Sequence, residues 1–112
     1  MKLSVKETDG ITTIALTGNV LGGPDATELN DTLHLLLEKK KKKIVVDLSG
    51  VQSMNSSGLS MLISGLTTMR NAGGDLKIAA ASKKIESLLV ITKLSTVFDL
   101  YPSVKKAIAS FQ

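Results

Sequence analysis

The chain has 112 residues, with 43% apolar and 21% charged side chains, which fits one compact domain with a single core and leaves no room for two. It contains no Cys and one His, so a disulfide framework and thiolate metal sites are excluded, and no metal or other cofactor is expected. Its net charge of +4 comes from one place: Lys39 to Lys43 supply five of the 14 basic residues, and the remaining nine face ten acidic ones. A charge run between two elements is ordinarily solvated. With one Tyr and two Phe there is little for bases to stack on, so no direct nucleic-acid binding is expected.

Taken in order, Met1–Glu7 and Ile11–Leu16 alternate apolar and polar residues around Asp9-Gly10, the pattern of a β-hairpin and hence of an antiparallel first pair. Gly22-Gly23-Pro24 breaks the chain, and a helix begins at Pro24 or Asp25. Ala26, Leu29, Leu33, Leu36 and Leu37 share one face of it. His34, with no second His and no Cys, reads as an ordinary side chain of that helix.

Ile44, Val45, Val46 and Leu48 then form a short run rich in β-branched residues, as in a strand covered on both faces. From Leu59 the period changes: Leu59, Leu62, Ile63, Leu66 and Met69 fall on one helical face. The small polar residues of Ser49 to Ser57 predict a turn between them, with Asn55 or Ser56 as the helix cap. Asn71-Ala72-Gly73-Gly74 stops the helix, and Leu76 to Ala81 form another short strand. Strand, helix and strand make a βαβ unit with a right-handed crossover. Ser82 caps a third helix carrying Ile85, Leu88 and Leu89. Leu94 to Leu100, with Val97 and Phe98, is expected as a short edge strand, and Pro102 or Ser103 opens a last helix that packs through Val104, Ala107, Ile108 and Phe111.

The chemistry concentrates at Ser56 and Ser57. A helix N-terminus offers free N–H groups and a partial positive charge, so a phosphate is tolerated there. It would add about −2 of charge and three acceptor oxygens to whatever surface docks nearby. Gly58 is expected to let another molecule approach the hydroxyl closely. The plainer reading is that Asn55 and the serines only cap a helix. Catalysis is not expected, since a serine nucleophile needs a base and no Gly-x-Ser-x-Gly pattern surrounds Ser56.

Val46-Asp47-Leu48-Ser49, followed by Met54-Asn55-Ser56-Ser57-Gly58-Leu59, resembles the signature of the STAS domain, in particular of the bacterial anti-sigma factor antagonists. Ile14-Ala15-Leu16-Thr17-Gly18 and Gly73-Gly74-Asp75-Leu76 extend the likeness along most of the chain, as one domain over residues 1–112. The resemblance implies an α/β fold: a mixed sheet of four to five strands, antiparallel in its first pair and then parallel, with about four helices mainly on one side. It implies that Ser56 is phosphorylated by an anti-sigma factor that is also a serine kinase, that a phosphatase resets it, and that binding frees a sigma factor. Asn55, Ser56, Ser57, Gly58, Asn19, Gly22 and Gly23 are the expected partner-binding residues. The chain departs from the family in two places: Asn55 stands for the usual Asp, and Asn19 to Asp25 has lost acidity. An alternative use of the fold is therefore an unphosphorylated interaction module in a signalling or lipid-transport assembly. No apolar stretch approaches the roughly 18 to 20 residues of a membrane span, and Met1 to Lys6 lacks a signal-peptide core, so a soluble cytoplasmic protein is expected.

Overall fold

The structure, a computed structural model, describes residues 1–112. Strands β1 (Lys2–Thr8) and β2 (Ile11–Val20) form the expected antiparallel hairpin. Asp9 and Gly10 both take positive φ at its tip, the conformation that a two-residue turn of right-handed twist requires. Helix α1 (Pro24–Glu38), strand β3 (Lys43–Met54), helix α2 (Ser56–Asn71), strand β4 (Asp75–Ala79), helix α3 (Lys83–Ile91), strand β5 (Leu100–Tyr101) and helix α4 (Val104–Ser110) follow.

The five strands lie in the sheet in chain order, and β2 through β5 are parallel. Right-handed crossovers that all step the same way along a sheet put their helices on the same face. Accordingly α1, α2 and α3 share one apolar layer: Leu29, Leu33, Leu62, Leu66, Met69, Ile85 and Leu89 pack onto Ile14, Leu16, Ile44, Val46, Leu48, Leu76 and Ile78. The short α4 takes the opposite face, where Ala107, Val104, Ile108 and Phe111 cover Ile11, Val45 and Ala79. The central strand is thus buried from both sides, as its apolar run, interrupted at Asp47, predicts. No helix is long and apolar enough to cross a membrane.

Lys77, in the middle of β4, lies under α4 at 9% exposure. Its Nζ donates to Ser110 Oγ at 2.8 Å and sits 4.2 Å from the centre of the Phe111 ring. The ammonium therefore meets the carbonyl end of a helix and an aromatic face, which is how a cation is accommodated there without a carboxylate.

Two elements differ from expectation. Strand β3 does not stop at Leu48 but continues to Met54, through most of the expected turn. Two register irregularities let it stay paired with Gly18, Asn19 and Val20 of β2, and Val51 and Met54 turn into the core. The expected strand over Leu94 to Leu100 shrinks to Leu100–Tyr101, preceded by a 3-10 turn at Leu94–Thr96. The N–H groups of Val97 and Phe98 both donate to the Leu94 carbonyl, so this backbone satisfies itself locally while Phe98 plugs the core.

Candidate functional site

The parallel strands β2 and β3 end side by side, and each leads into a helix, so the starts of α1 and α2 meet at one pole of the sheet. Ligand and partner sites of open α/β sheets form at such carboxyl ends. At the start of α2, Asn55 takes an extended backbone (φ −102, ψ −176) and its Oδ1 accepts the Gly58 N–H at 2.8 Å. This is the cap geometry that the sequence predicts, and it removes one of the free donors of the first turn. Ser56 and Ser57 occupy the first two helical positions with both side chains exposed. Helical geometry gives their N–H groups no acceptor within α2, so each hydroxyl stands beside an outward-facing donor.

The two loops are stitched together. Asn55 N–H donates to the Val20 carbonyl at 3.3 Å, and Ser53 Oγ donates to Asn19 Oδ1 at 2.7 Å. Asn19 is thus exposed one strand away from the helix start, and part of its polarity is spent on holding β2 to β3.

The glycines need a correction. Gly58 does not open space for a second molecule: it is buried, and a Cβ there would fall 2.2 Å from the Val20 carbonyl oxygen and 2.8 Å from Met54 Cγ. The close approach it permits is that of its own chain, β2 under α2. Gly22 is also buried, at φ +79, and a Cβ on it would lie 2.6 Å from Ser57 Cβ. It presses the β2–α1 loop against the start of α2. Of the three expected partner-binding glycines, Gly23 alone is exposed with open space around it, at the cap of α1.

Two features of this pole escape the sequence reading. Ser53 reads as one more turn residue, whereas it belongs to β3 and pins Asn19. Leu21, at the tip of the β2–α1 loop, is 51% exposed. Its N–H donates to Asp25 Oδ2 at 3.3 Å, and the other Asp25 oxygen faces the N-terminal ammonium at 3.7 Å, so this carboxylate is turned into the protein. The sequence signal for Leu21 is only an apolar residue directly before two glycines.

Residues 2–107, which hold the whole sheet and the start of α2, match the STAS domain. The chain belongs to the STAS domain family. Over its full length it is 24% identical to BtrV of Bordetella bronchiseptica, which is named an anti-sigma factor antagonist, and covers 96% of that protein. Among solved structures it resembles a Thermotoga maritima protein also named an anti-sigma factor antagonist, with TM-score 0.86, 21% identity and coverage of 96% and 92% of the two chains. It also resembles the Bacillus cell fate determinant SpoIIAA in its phosphorylated form, with TM-score 0.75, 12% identity and coverage of 99% and 100%.

Proposed function

We propose that this protein is an anti-sigma factor antagonist that is switched at Ser56. The observation that carries the proposal is the exposed Ser56 hydroxyl at the first position of α2, on a pole whose two loops are hydrogen-bonded to each other. The names of the relatives, and a fold shared with a protein that has been solved in a phosphorylated form, support the reading. With Ser56 free, the pole docks on an anti-sigma factor that is also a serine kinase, and a sigma factor is released. The kinase then transfers the γ-phosphoryl group of ATP to Ser56 Oγ; the hydroxyl loses its proton and ADP leaves. The helix start tolerates the product, because free N–H groups and the dipole favour an anion there. The partner does not, since about −2 of charge now has to be desolvated in the contact. A phosphatase resets the protein, which acts by binding and not by catalysis.

The test separates binding from folding. Ser56→Asp should weaken kinase binding by about 100-fold, yet leave thermal stability unchanged or slightly raised, since an acidic side chain at this position contributes about 0.3–1 kcal/mol to the helix. Ser56→Ala should bind and resist labelling, while Ser57→Ala should still be labelled. Equal affinity of wild type and Ser56→Asp would refute the electrostatic switch. A second reading, an unphosphorylated interaction module, is favoured by Asn55, which supplies the cap without the negative charge usual at that position. It requires wild type to remain unlabelled.

A further inference from the structure

All 24 charged side chains of this protein lie outside two stretches, Gly10 to Pro24 and Leu48 to Met69. The end of the first stretch and the middle of the second form the Ser56 pole. Leu21, Gly23 and Pro24 from one loop, and Asn55, Ser56, Ser57 and Ser60 from the other, are exposed and uncharged. Asp25, the acid nearest in sequence, is 18% exposed and is occupied by the Leu21 N–H and the N-terminal ammonium. The other charged residues at this end of the sheet lie at its margins: Lys2, which begins β1 opposite Thr17, Glu28, one turn into α1, and the pairs Lys83-Lys84 and Lys105-Lys106 in the first turns of α3 and α4.

On this neutral ground Leu21 is half exposed at a fixed place. Gly22 seats its loop on Ser57, and the Asp25 carboxylate holds the Leu21 backbone. An apolar side chain held out on a rigid turn loses little conformational freedom when it is buried by a partner, which makes it an efficient contact residue. Resting on the Ser56 reading, we infer that Leu21 is the apolar anchor of partner docking, and that the partner kinase meets this pole with an uncharged surface containing a pocket for one aliphatic side chain. Recognition is then by burial and hydrogen bonding to the Asn55 and Ser57 side chains and the Ser57 N–H, without ion pairs. A phosphate on Ser56 is the one charge introduced into an otherwise neutral contact, which gives the switch its contrast.

The experiment uses the full chain and the purified kinase that labels Ser56. Its affinity should change less than about twofold between roughly 50 and 500 mM NaCl, because no exposed ion pair is screened. Leu21→Ala should weaken binding by about tenfold and Leu21→Lys by more, with thermal unfolding unaltered in both, as expected of an exposed side chain. Steep loss of affinity with salt, or wild-type affinity in Leu21→Ala while Ser56 is still labelled, would overturn the anchor and leave the Ser56 switch standing. Failure of any kinase to label or bind wild type refutes the switch itself, and the anchor with it.

Discussion

The two poles of the sheet differ in how they use their residues. At the Ser56 pole the loops are neutral, glycine is placed where a Cβ would collide, and side chains tie one loop to the next. At the opposite pole, where β3 begins, five consecutive lysines follow α1, and one of them, Lys40, sits in the left-handed region at φ +60. There the helix still ends in an orderly way: Lys41 N–H donates to Leu36 O at 2.8 Å and Lys40 N–H to Leu37 O at 2.9 Å, the paired bonds of a left-handed C-cap. Lys41 also pairs with Glu7 of β1. The contrast teaches that the sequence feature most visible by charge is a solvated helix end, whereas the surface proposed for a partner is marked by the absence of charge; close backbone approach is common to both poles, since a Cβ on Gly74 would lie 2.5 Å from the Lys42 carbonyl oxygen.

If that contrast is right, substitutions should hurt fold stability at the neutral pole, while the lysines of the basic one absorb them. The largest effect is expected from Gly58→Ala, whose methyl group must displace the Val20 carbonyl: a loss of about 3 kcal/mol in urea denaturation. Asn55→Ala removes the cap of α2 and should cost about 1 kcal/mol, while Asn55→Asp should keep the bond to Gly58 and cost nothing. At the other pole the sign reverses: Lys40→Gly relieves a left-handed residue that carries a Cβ and should stabilise by about 0.5–1 kcal/mol. Smallest of all, Lys39→Gln with Lys43→Gln should shift stability by less than about 0.5 kcal/mol and leave kinase affinity unchanged. A large affinity loss in that double variant would make the lysine pole part of the docking surface and break the comparison.

Much of this was open to reading because the signals are local. Asp9-Gly10, the caps at Asn55, Ser82 and Ser103, and the change of period at Leu59 each act within a few residues, and each is found where the sequence puts it. What escaped depends on distant partners. The extension of β3 through Gly50, Gln52 and Ser53 has poor alternation and exists because β2 runs alongside it. The role of Gly58 lies in the carbonyl of Val20, and a missing side chain does not announce which atom fills its place. The two-residue β5 is held by β4, and its own neighbours prefer a tight turn. Leu21 was illegible for a further reason: its apolar character answers to nothing inside the protein.

The most direct test of the central claim is intact-mass spectrometry of the protein from its native cell, with peptide mapping across Ser53 to Arg70. One phosphate, carried by Ser56 and absent from Ser57, is the expected result. A chain that stays unmodified through growth, starvation and stress, or carries its phosphate elsewhere, would contradict the switch.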